Sequence, residues 1–157
     1  MKWKDHDRWA TKLGVEKEVS NEVNRIIDAV EQGENIPDKY EQHLEKCAEK
    51  TGESSAKSAF GIVAADYAKR RHDVSRGNKT GDELSARLHK CALEEMGEQY
   101  LDAWYLHHHL DLIHEYRDSG KSLEEILFLH KKDAPQTYSK TIAEFLRDYR
   151  SEIPELG

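Results

Sequence analysis

His107, Asp111 and His114 are spaced i, i+4 and i+7, so any helix that contains them projects all three from one face. Imidazole nitrogens and a carboxylate on one face can ligate Zn²⁺, Mn²⁺ or Fe²⁺, or can share a proton as an acid–base group. Their setting makes them conspicuous. The same stripe reads Leu93, Met96, Tyr100 and Ala103 upstream, then becomes His107, Asp111, His114 and Asp118. A core-phase face thus turns wholly ionisable halfway along, and burying such groups costs several kcal/mol (roughly) unless they are paired or metal-bound. One helix rarely closes a metal site, so His43, His72, Asp73 and His130 are the candidates for a further ligand. The plainer alternative is a partly solvated face with a local His–Asp hydrogen bond, and a metal-free ligand pocket is a third. His108 and His109 leave the stripe and read as packing or surface residues.

A second cluster is basic. Lys69, Arg70, Arg71, Arg76 and Lys79 surround a single acid, Asp73, in a chain whose net charge is -7. Such a loop could grip a phosphate, a nucleic-acid backbone or an acidic partner. It is equally the composition of a solvated helix end, where cations complement the dipole. Its closeness to His72 and Asp73 favours phosphoester chemistry, which needs cations beside metal ligands.

These residues must be carried by helices, because helix signals punctuate the whole length and no strand pattern is convincing. The 157 residues fit one domain, expected over 1–153 with a frayed tail at 154–157. The first helix should run from about Asp5 to Leu13, closed by Gly14, and the second from about Glu16 to Gln32. The stripe Val15, Val19, Val23, Ile26, Ile27, Val30 supplies the second helix's buried face. Pro37 can open a third helix with Tyr40, Leu44, Cys47 and Ala48 inward, and a small-residue helix is expected from about Ser55 to Arg71. Thr80 with Glu83, and Ser122 with Glu125, have capping-box spacing. A last helix carries Tyr138, Ile142, Phe145, Leu146 and Tyr149.

The expected architecture is therefore all-α, a compact array of about seven helices around a long apolar central helix spanning about 82–118. At about 1.5 Å per residue that helix would reach on the order of 55 Å, whereas a domain of this size is about 40 Å across. A break near Gly97 is the favoured resolution; a projecting end that packs on another subunit is the other.

Composition limits the partners. Net negative charge argues against nucleic acid, except through the 69–79 loop, and against an anionic membrane surface. No apolar run approaches the roughly 18 residues of a membrane span, and no secretory signal begins the chain, so a cytoplasmic location is expected. Cys47 and Cys91 fall in apolar phase without CxxC spacing and read as two buried thiols in a reducing compartment.

Three sets of residues resemble motifs of known families. The segment Trp9 to Val15, continued by Val19, Ser20 and Val23, resembles the helix-turn-helix of bacterial and archaeal regulators. Val19 lies five positions after Gly14 where that family places its buried residue at six, and Glu16, Glu18 and Glu22 would repel phosphates, so a plain helical corner is expected. His43, the pair His72–Asp73 and Asp111 are ordered like the ligands of HD-domain phosphohydrolases, although the pair follows Lys69-Arg70-Arg71 rather than an apolar helix. Glu95 with Glu98, and Glu115 with Asp118, resemble the acidic motifs of all-α nucleotide pyrophosphohydrolases, but no turn separates them to make them converge.

Two functions follow as expectations, with a third behind them. The first is a non-enzymatic binding or assembly module that self-associates or docks a protein through helix–helix contacts. The alternative is a metal-dependent phosphoester hydrolase with its divalent metal on His107, Asp111 and His114, helped by His43, His72 and Asp73. Nucleic-acid binding through Lys69, Arg70, Arg71, Arg76 and Lys79 is the third.

Overall fold

A computed structural model describes residues 3–32, 38–50 and 83–153. Over these the chain forms seven α-helices and two 3₁₀ turns, with no strand among the described residues. The helices are α1 (Trp3–Leu13), α2 (Lys17–Gln32), α3 (Asp38–Lys50), α4 (Glu83–Met96), α5 (Glu98–Glu115), α6 (Leu123–Asp133) and α7 (Lys140–Asp148). The 3₁₀ turns are Pro135–Thr137 and Arg150–Glu152. The expected 55–71 helix, the 69–79 loop, the Thr80 cap and the 154–157 tail lie outside the described residues.

The corner between α1 and α2 is built by Gly14, whose φ of +94° suits glycine. Val15 N donates to Ala10 O at 2.9 Å and Gly14 N to Thr11 O at 3.1 Å, the paired bonds that satisfy the last carbonyls of a helix. Val15 is then delivered into the core.

At Gly97 the chain takes φ 139° and ψ 160°, a region open essentially to glycine, and the 82–118 run divides there into α4 and α5. Every residue from Ala103 to Leu110 is buried, and Ile113 with them, so α5 is covered on all sides. It packs against α1, α2, α4, α6, α7 and the Pro135–Thr137 turn, while α3 lies on α4. Trp9, Ile26, Ile27, Trp104, Leu106, Leu110, Ile126, Ile142 and Leu146 fill the space between.

Ser122 caps α6 as its spacing predicts, with Ser122 Oγ accepting from Glu125 N and Glu125 Oε2 from Ser122 N. Ser139 caps α7 through a single bond, its Oγ accepting from Ile142 N. One expectation is corrected. Cys47 and Cys91 are not separate thiols but are bonded to each other across a Cα–Cα distance of 6.2 Å, because α3 and α4 pack with these two apolar-phase positions facing. Among the described residues, no helix is long and apolar enough to cross a membrane.

Candidate metal centre

The ionisable stripe of α5 meets the N-terminal helix. His6 on α1 and His107 on α5 stack with parallel rings, centroids 3.8 Å apart and planes within 3°. Asp111, one turn beyond His107, reaches both: its Oδ1 is 2.9 Å from His6 Nε2 and its Oδ2 3.1 Å from His107 Nε2. Both imidazoles are buried and Asp111 nearly so, with 12% of its side chain exposed. Ligand atoms of these three residues lie within 4.8 Å of one another.

A relay behind His107 decides what its ring can do. Asp7 Oδ1 accepts from Ser20 Oγ at 2.5 Å and from Asn24 Nδ2 at 3.0 Å. A carboxylate only accepts, so the Asn24 amide must turn its NH₂ to Asp7 and its Oδ1 to His107. Asn24 Oδ1 is 2.9 Å from His107 Nδ1, which must therefore carry the proton and donate. In a neutral ring that leaves Nε2 with its lone pair aimed at Asp111 Oδ2. Two electron-rich atoms at 3.1 Å repel unless a cation lies between them.

Either a proton or a metal ion answers that demand. Fixing one ring nitrogen by hydrogen bonding so that the other is free to ligate is the common second layer of metal-bound histidine. The two N···O distances match the ligand–ligand edge of an octahedral site, about 3.0 Å for bonds of about 2.1 Å. A shared metal must lie in the plane of both imidazoles, so loading requires the stacked rings to open out.

The other candidates are dispersed. His114 accepts from Arg117 Nη1 at 3.0 Å and is not in this group. His43 lies on α3, 3.3 Å from Glu95 Oε2. His130 bonds Thr137 Oγ1 at 2.9 Å and packs against His109. His72, Asp73, Lys69, Arg70, Arg71, Arg76 and Lys79 fall outside the described residues. His6, Asp7, Ser20 and Asn24 were missed, although all but Asp7 carried a signal. His6 shares the apolar phase of Trp9, Ala10 and Leu13, and Ser20 with Asn24 is an i, i+4 polar pair flanking the α2 stripe.

His108 and His109 are packing residues, both buried. His109 Nδ1 donates to Tyr105 O at 2.6 Å and its Nε2 accepts from Ser139 N at 3.4 Å, while burial pushes its pKa down to about 4. His89 on α4, bonded to the Tyr40 hydroxyl, is pushed down to about 3 by the same desolvation. Burial keeps both of these rings neutral, as structural groups.

Cavities form among the described residues, two of them apart from the α1–α5 cluster. One is lined by Leu112, Glu115, Tyr116 and His130, the other by Lys121, Glu124 and Phe128; neither reaches His6, His107 or Asp111. The chain matches no protein-family model, no curated protein and no solved structure.

Proposed function

We propose that this chain is a non-enzymatic helical module that binds a divalent cation, with His6, His107 and Asp111 as ligands and the ion fastening α1 to α5. The observation that carries this reading is the Asp7–Asn24–His107 relay, which turns an imidazole lone pair toward a carboxylate. Two imidazoles and one carboxylate suit Zn²⁺, Mn²⁺ or Fe²⁺ better than Mg²⁺ or Ca²⁺, which favour oxygen donors. The near-complete burial of the ligands supports a clip rather than a substrate site.

Calorimetric titration of the metal-free protein, with the Cys47–Cys91 disulfide intact, by Zn²⁺ and Mn²⁺ tests it. Binding of one equivalent that raises the melting temperature and disappears in Asp111→Asn is the expected result. Equal binding by wild type and Asp111→Asn would sink the proposal. Cleavage of a generic phosphodiester by the metal-loaded protein, lost in the same variant, would replace the module reading with the hydrolase one. The assembly reading has less to rest on, since Phe128 is the exposed large hydrophobic side chain among the described residues. Nucleic-acid binding rests wholly on the 69–79 loop.

A further inference from the structure

A second set of donors lies on α3 and α4 and shares no residue with the first. His43 and Cys47 are four apart on α3, and Cys91 and Glu95 are four apart on α4, so each pair occupies one face of its helix. The two helices pack together. Ligand atoms of Cys47, Cys91 and Glu95 fall within 4.8 Å of one another, and His43 Nδ1 is 3.3 Å from Glu95 Oε2. Lys50 holds the other carboxylate oxygen, Oε1, which leaves Oε2 to face His43.

We infer that, when Cys47 and Cys91 are reduced, His43, Cys47, Cys91 and Glu95 form a tetrahedral Zn²⁺ site, and that oxidation to the disulfide expels the metal. One nitrogen, two thiolates and one carboxylate oxygen make a donor set that selects zinc over magnesium and calcium. The nitrogen–oxygen edge of such a tetrahedron is about 3.4 Å for bonds of about 2.1 Å, close to the His43–Glu95 separation. The sulfur–sulfur edge is about 3.8 Å for Zn–S bonds of about 2.3 Å. A Cα–Cα distance of 6.2 Å allows either that edge or a direct bond, with side-chain rotation making the change.

The oxidant is hydrogen peroxide. One thiolate sulfur attacks a peroxide oxygen, the O–O bond breaks, and the departing hydroxide takes a proton to become water. The sulfenic acid left behind is attacked by the second thiolate; the S–S bond forms, the S–O bond breaks, and a second hydroxide is protonated to water. Two electrons pass from the thiolates to peroxide, two protons are consumed and Zn²⁺ is released. His43 and Glu95 then remain as two ligands, too few to hold it.

The test uses the full chain, reduced and stripped of metal, in wild-type and Asp111→Asn forms so that the α1–α5 site does not contribute. Added Co²⁺ should give thiolate-to-cobalt charge-transfer absorption in both, displaced in Asp111→Asn by one equivalent of Zn²⁺. Cys91→Ser should abolish that band, and Glu95→Gln or His43→Gln should weaken Zn²⁺ binding tenfold or more with helical circular dichroism unchanged. Peroxide should release one zinc per chain in step with disulfide formation. A reduced, folded protein without the cobalt band, a reduced chain that does not fold even with zinc, or zinc that stays bound after oxidation would each overturn the inference. If Cys91→Ser does not fold, the exposed-edge variants Glu95→Gln and His43→Gln decide the question, and unchanged zinc affinity in both would overturn it.

Discussion

Asn24 and His107 face one another across α2 and α5, Oδ1 to Nδ1 at 2.9 Å, and Asp7 dictates which of them donates. Asn24→Ala removes that dictation. The His107 proton is then free to move to Nε2, which blocks the ligating lone pair. We expect Zn²⁺ or Mn²⁺ affinity to fall by about 10- to 100-fold, the usual effect of losing a second-layer partner. Unfolding free energy should also drop by about 1–3 kcal/mol, because polar groups of Asp7 and His107 lose a buried partner. Calorimetry and urea denaturation read the two effects separately, and an unchanged dissociation constant would mean the relay does not prepare the ring.

Stability should decline on mild acidification. His89 and His109 have folded pKa values pushed down to about 3 and about 4, against an unfolded value near 6.5. Between those limits the unfolded chain binds protons that the folded chain refuses, so stability is full above about pH 6.5 and falls as pH drops toward the folded values. At pH 5 each ring should cost about 2 kcal/mol. Chemical denaturation at pH 7.5 and pH 5 checks this. His89→Gln should flatten part of the dependence, and a flat wild-type profile would contradict the assignment.

Gly97→Ala should destabilise the protein by about 1–3 kcal/mol, the cost of holding a side chain in a glycine-only region. The penalty is one of backbone conformation, since an added Cβ would meet Tyr100 Cδ2 at an ordinary 3.8 Å. A thermal melt of the variant is sufficient, and an unchanged melting temperature would mean that the α4–α5 break can relax.

Ser122→Ala removes the bond from Glu125 N to Ser122 Oγ while leaving Ser122 N to donate to Glu125 Oε2, and should cost about 1 kcal/mol. Hydrogen exchange should quicken in the first turn of α6 and not in α5. Loss of protection throughout would indicate a wider role for Ser122.

What the sequence revealed was what local chemistry controls. Gly14, Gly97 and the Ser122–Glu125 pair each act within a few residues, so the end of α1, the division between α4 and α5 and the start of α6 could be placed from composition and spacing alone. The His107–Asp111 pair was equally legible, being i, i+4 on one helix. The third member of the cluster was not, because spacing along α5 nominated His114, whereas the position opposite Asp111 is filled from α1 by His6. No local rule reports which helix face a distant segment will cover. The same limit hid the Cys47–Cys91 bond: each cysteine's inward phase was readable, but their meeting depends on α3 lying against α4.

The docking of α1 also has a temporal side. Asp7 finds its partners Ser20 and Asn24 within 17 residues, whereas Lys12 bonds Glu152, 140 residues downstream, and His6 requires Asp111. At about 5–20 residues per second, a ribosome takes on the order of ten seconds to make that intervening chain. The α1–α2 corner can therefore close early in synthesis while its histidine waits, half of an unfinished site, for a helix that has yet to be made.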